Sequence, residues 1–245
     1  MRRKQTGFTL VEIAIVLVII GLLLGGILKG QELINSARVR KVADEMTSER
    51  AAVQAFFDRF QALPGDYSQA TVNIPNVDAA CGGAVGGNGD GVIGGAGEPA
   101  NEAVCAWHEL TQAGFLNGCA ACATNPVSTP AAPTQLNSPV NSFGGLELIQ
   151  SGALFYTGAG AGALAAAAAN QIHSGNSIPS NVLGEVDRKM DDGSPLTGSL
   201  RFSTYAPAAG PGVPPVVGCI PLVGANAGWS GAAPVANCGA SLLLN

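Results

Sequence analysis

Between Lys4 and Lys29 the chain carries a single ionisable side chain, Glu12, and from Phe8 to Leu28 it runs for 21 residues of almost unbroken apolar character. As a helix rising about 1.5 Å per residue, that stretch spans roughly 31 Å, the thickness of a hydrocarbon core. It can therefore cross a bilayer. Arg2, Arg3 and Lys4 precede it, so the positive-inside tendency keeps residues 1–7 cytoplasmic and sends the rest outward. A secretory signal has a shorter apolar region ending in a small-x-small cleavage site, and no Ala-x-Ala follows this one. Cleavage on the far side is not expected.

Glu12 is the anomaly in this segment. A carboxylate near the start of a membrane helix costs free energy unless it is wetted at the interface or paired. The residues around it, Gly7-Phe8-Thr9-Leu10-Val11-Glu12, resemble the prepilin processing motif of type IV pilins and type II secretion pseudopilins. The resemblance covers roughly the first thirty residues. It implies cleavage between Gly7 and Phe8 by a prepilin peptidase, with N-methylation of the new Phe8 amine. It also implies that Glu12 pairs with the Phe8 amine of a neighbouring subunit as a filament grows. The physics is compatible, because a carboxylate and an ammonium attract strongly in low dielectric and would fix one axial register. Where many major pilins carry a late proline in this segment, this chain has Lys29, although Gly21, Gly25 and Gly26 weaken the helix by about 1 kcal/mol each.

After Lys29 the pattern turns amphipathic. Val39, Val42, Met46, Val53, Phe56 and Phe60 recur at helical spacing among Arg38, Arg40, Lys41, Asp44, Glu45, Glu49 and Arg50, which predicts one buried stripe. Pro64-Gly65 is the expected stop. The predicted organisation is a leader at 1–7, a transmembrane and assembly helix at 8–28, its amphipathic continuation at 29–63, and a periplasmic or extracellular body at 64–245. Within that body, strands are expected at Leu146–Ile149, Ser199–Tyr205 and Val216–Val223, and helices at Glu102–Ala113, Ala161–Ile172 and Val182–Met190. The Gly- and Pro-rich stretches 79–100, 124–142 and 206–215 read as surface loops. A long helix followed by strands is an α+β arrangement, with an antiparallel sheet packed on the second half of that helix, as in pilin-like subunits.

Two segments raise the question of metal. Gly87-Asn88-Gly89-Asp90-Gly91 resembles the core of a calcium loop, in which alternating oxygens and a sharp glycine turn surround a hard cation. Asn88, Asp90 and Glu98 are the candidate ligands, but Gly86 stands where the first acidic ligand should be and Glu98 falls one residue late. A plain Asn-Gly-Asp-Gly turn is the better reading. Asp187, Asp191 and Asp192 before Gly193 read as a helix end running into a turn.

Six cysteines beside a membrane signal point to an oxidising compartment. Cys219 and Cys238 resemble the C-terminal disulfide loop of many pilins, and closing it would stabilise the fold by about 3 kcal/mol. Cys81, Cys105, Cys119 and Cys122 stay unassigned, since six cysteines allow fifteen pairings. Cys119-Ala-Ala-Cys122 has redox spacing but loop-forming flanks, so a structural disulfide is favoured over a dithiol or a zinc site.

An enzymatic reading finds little support. His108-Glu109-Leu110-Thr111-Gln112 lacks the second His of a zinc-protease helix, and only His173 remains elsewhere. Gly89–Gly94 matches a dinucleotide glycine pattern without a preceding apolar strand. Gln61 to Asp187 contains no Lys or Arg, and the net charge is −5, so nucleic-acid binding by the body is not expected.

The resemblance therefore implies a structural, non-enzymatic subunit of a type IV pilus or type II secretion pseudopilus, with no cofactor required and calcium the one candidate. Its implied partners are other copies and related pilin-like subunits, prepilin peptidase, an inner-membrane assembly platform with its ATPase, and lipid. The implied location is the bacterial inner membrane with the body in the periplasm, then a filament that can reach the cell surface. The alternatives are a calcium-dependent, adhesin-like minor pilin at a filament tip and a membrane-anchored periplasmic enzyme.

Overall fold

The computed structural model describes residues 10–94, 101–117, 134–157, 163–165, 167–207, 212–220, 228–231 and 234–244. The chain divides into two compact units, Met1–Arg38 and Val39–Asn245. Helix α1, Leu10–Phe60, is 51 residues long and contributes to both. In the first unit its apolar side chains, from Leu10 to Leu28, are exposed, and it is long and apolar enough to cross a membrane.

In the second unit α1 becomes a core element. Val39, Val42, Met46, Val53 and Phe56 are buried, as their spacing predicts. The helix stops at Phe60, three residues before the expected boundary at 63. Gln61 takes a left-handed φ of 52°, its amide donates to Phe57 O at 2.8 Å, and its Nε2 donates to Phe57 O and Asp58 O. The chain thus caps itself before Pro64 can act.

The body continues through α2 (Ala70–Asn73), a 3₁₀ turn at Ala79–Cys81, α3 (Gly83–Gly86) and α4 (Glu102–Gln112). The four-stranded antiparallel sheet contains β1 (Leu148–Gly152), β4 (Ala169–His173), β5 (Leu200–Phe202) and β6 (Ala240–Leu243), in the order β1-β4-β6-β5. A separate ribbon pairs β2 (Tyr156–Thr157) with β3 (Ala163–Leu164). Helix α5 (Ser180–Met190) follows β4, and α6 (Val216–Cys219) follows β5. This is the α+β arrangement expected, with the α1 stripe sharing one core with Ile149, Ile172, Leu200, Phe202 and Leu242 of the sheet. Phe56 anchors that core against Phe60, Tyr67 and Phe115, with ring centroids 4.7, 6.2 and 6.1 Å away.

Four local expectations are corrected. The alanine-rich segment Ala161–Ile172 contains β3 and β4 instead of a helix, outside the residues not described, because β4 pairs on both edges, with β1 and β6. Intrinsic propensity is a weak preference that this tertiary pairing overrides. Val216–Val223 opens as α6 instead of a strand, with Pro215 O accepting Cys219 N at 2.9 Å; residues 221–223 lie outside the described part. Pro215 favours such a start, having no amide to leave unpaired. The strand expected at Leu146–Ile149 is shifted to Leu148–Gly152, since Leu146 bridges Val140 and Glu147 N donates to Pro139 O. Finally, the loop 79–100 contains the 3₁₀ turn and α3.

Candidate assembly helix and acidic clusters

The two ends of α1 do different work. Glu12 lies in its first turn, exposed among exposed apolar neighbours. Gly7 and Phe8 lie outside the described residues. From Val39 onward the same helix is fixed by burial, and its polar edge reaches the body: Ser142 Oγ donates to Glu45 Oε2 at 3.2 Å.

The Asn88–Asp90 turn is organised from below by side chains that sequence reading did not single out. Asp66, buried, accepts the amides of Gly89 (2.6 Å), Asp90 (3.2 Å) and Gly91 (2.7 Å). Glu102 accepts Asn88 N at 3.3 Å and Gly94 N at 2.7 Å. Asn170 closes the far side, accepting Ile93 N and donating to Gly91 O. Asn88 and Asp90 use their own oxygens within the turn: Asn88 Oδ1 accepts Asp90 N at 2.9 Å, and Asp90 Oδ1 accepts Val92 N at 2.8 Å. Glu98 lies outside the described residues.

Beside this turn, Glu109 is buried and accepts Gly65 N at 2.8 Å. Burial, reinforced by the charges of Asp66 and Glu102, pushes its carboxyl well above the usual range against the pull of that amide. His108, the other half of the protease-like dipeptide, accepts Asp78 N through Nε2 at 3.0 Å. Both side chains hold backbone. The remaining histidine, His173, is buried between β1 and β6, with Ser203 Oγ and Ser241 Oγ at 3.2 and 2.9 Å from Nδ1 and the Tyr205 ring stacked at 4.4 Å. Burial alone lowers its pKa to about 3, so it is neutral at pH 7.

The acidic knot holds α5 in place. Asp187 accepts the Trp229 indole N–H at 2.6 Å and Gly193 N at 3.2 Å. Asp191 accepts Ser199 N and Leu200 N, while Asp192 accepts Ser194 N and the Thr197 hydroxyl. Gly184 lets Trp229 lie against α5, because a Cβ there would sit 2.9 Å from the Trp229 Cβ. Cys219 is joined to Cys238, and Cys81 to Cys105. Cys119 and Cys122 lie outside the described residues.

A further acidic group is the Glu49–Glu147 pair. Glu49 is 5% and Glu147 3% exposed, and they line a cavity of about 320 Å³ with Glu45. Burial, then the neighbouring Glu147 charge, raises Glu49 well above the carboxylate range. Burial pushes Glu147 up to about 7; its hydrogen bond with Glu49 and the charge of Lys41 pull down, and Glu45 pushes up. Glu49 was legible as an oddity: it falls three residues after Met46 and four before Val53, inside the apolar stripe.

Residues 2–28 match the prokaryotic N-terminal methylation motif, the signature of type IV pilins and pseudopilins. No curated protein and no solved structure matches the chain. The motif, together with the apolar α1 segment, supports a membrane-anchored, pilin-like or pseudopilin subunit that assembles with related subunits. It is a motif of structural proteins.

Proposed function

We propose that this chain is a structural subunit of a type IV pilus or type II secretion pseudopilus, trimmed after Gly7 by prepilin peptidase and polymerised through α1. The observation that carries this reading is the change of character along α1: exposed apolar side chains from Leu10 to Leu28, then a buried stripe from Val39. An apolar surface on every side of a helix needs lipid or other helices around it. The matched motif supplies the reason that one segment would use both in turn.

In this reading the helix rests in the inner membrane with the body in the periplasm, oriented by Arg2, Arg3 and Lys4. An assembly platform and its ATPase lift subunits out of the bilayer. Glu12 attracts the methylated Phe8 amine of a neighbouring copy, and the low dielectric makes that ion pair an axial register mark. The subunit's role is mechanical, and no bond is made or broken by it.

The test is the intact mass of the protein from cells with and without prepilin peptidase. Loss of residues 1–7 with gain of one methyl group, only where the peptidase is present, is the expected result. An unprocessed chain in both strains would overturn the reading. Glu12→Ala is expected to insert normally in the membrane yet to be depleted from filaments; wild-type filament yield would refute the pairing role.

A further inference from the structure

From Val39 to Phe56, α1 presents three stripes at about 100° per residue. One is the buried stripe. On one flank of it, Arg40, Asp44, Thr47 and Arg50 line a groove of about 410 Å³ with Lys189 and Met190 at the end of α5. On the opposite flank, Glu45, Ser48 and Glu49 line the cavity that Glu147 closes. The first flank is net basic and the second carries three carboxyl groups.

The acidic cavity has the features of a receptor for a cation. Glu49 Oε2 is buried and has no hydrogen-bond partner. Two of the three carboxyl groups are almost fully buried; Lys41, largely exposed, makes a contact with Glu45 at 3.5 Å and acts on Glu147 only through its charge. Phe115, Leu116 and Val140 supply apolar wall, which strengthens any charge pairing formed inside. A buried carboxyl oxygen left unpaired is costly; an entering cation with several N–H donors satisfies it, and its charge favours release of the buried proton to solvent so that a carboxylate pairs with it. On the basic flank, Arg40, Arg50 and Lys189 make no ion pair with a described residue.

We propose that the acidic cavity of one copy receives a basic side chain, from Arg40, Arg50 or Lys189, of the next copy of this chain. The two surfaces lie on opposite flanks of one helix, so the contact is head-to-tail and repeats instead of closing as a two-fold pair. The proposal rests on the filament reading above and adds to it a second register mark, carried by the body. A guanidinium is the best fit, because its planar fork can meet two carboxylates at once.

The test uses the full-length chain in assembling cells. One copy carries Ser48→Cys at the acidic rim and a second, distinguishably tagged copy carries Thr47→Cys at the basic rim; both positions are exposed, so folding is undisturbed. The expected result is a mixed 47–48 disulfide between copies, identified by peptide mass, without 47–47 or 48–48 pairs. Glu49→Gln, which keeps the shape of the protonated acid but cannot release a proton to pair with the incoming cation, should lower its yield roughly tenfold, and Arg50→Gln should lower it from the other side. Filaments that form without the mixed disulfide, or with symmetric pairs only, would overturn this contact while leaving the filament reading intact. Unchanged cross-linking in Glu49→Gln would likewise overturn it. An unprocessed chain without filaments would defeat the filament reading, and this contact with it.

Discussion

Replacing Glu147 by Gln should make the body more stable in alkali and remove most of its pH dependence there. In the folded chain burial holds the Glu147 proton up to about pH 7, whereas the unfolded side chain releases it near 4.5. Between those values the native state binds more protons than the unfolded state, so stability falls as pH rises. The full benefit is present below pH 4.5 and is gone above about 7. A gap of roughly 2.5 units at about 1.4 kcal/mol per unit corresponds to about 3 kcal/mol, undiminished by solvent because the group is buried. Gln presents the neutral shape at every pH, so Glu147→Gln should match wild type near pH 4 and exceed it by about 3 kcal/mol at pH 8. Urea titration of the detergent-solubilised full-length chain measures this, with the buried Trp107 and Trp229 as fluorescence reporters and the slope unchanged. Because Glu49 shifts in the same direction, the Glu49→Gln/Glu147→Gln double variant should be flatter still. Parallel stability profiles for wild type and Glu147→Gln would refute the buried-proton argument.

Other perturbations test the rest of the scaffold. Phe56→Ala removes the ring that links Phe60, Tyr67 and Phe115, and should cost about 3–5 kcal/mol in chemical denaturation. Cys219→Ser opens the loop to Cys238, whose ends are 19 positions apart, and should cost about 3 kcal/mol under non-reducing conditions. Asp66→Ala strips the shared acceptor from Gly89, Asp90 and Gly91; their amides should lose hydrogen-exchange protection, with a stability loss of about 1–3 kcal/mol.

The long helix was legible because its signals are local and redundant: an apolar run of bilayer length and a stripe at helical spacing both lie within α1. Helices α4 and α5 were found nearly to the residue for the same reason. The alanine segment misled because alanine's preference is decided by neighbours, and the pairing of β4 with β1 and β6 is invisible along the chain. The Asn88–Asp90 turn could be read as a turn, but not what it wraps, since Asp66, Glu102 and Asn170 come from three distant stretches. Glu49 could be seen as misplaced in its stripe, whereas its partner Glu147 lies 98 positions away, in a segment with no pattern that marks it.

Strand β6 occupies the interior of the sheet, between β4 and β5, although it follows both in the chain. Ribosomes deliver residues in order, so an emerging polypeptide has a gap at the centre of its sheet until positions 240–243 arrive. Until that moment the facing edges of β4 and β5 have open hydrogen-bonding groups, and Cys238 has not yet met Cys219. Closure of the body thereby waits on one short strand: the sheet cannot be completed around its core before residues 240–243 have been made.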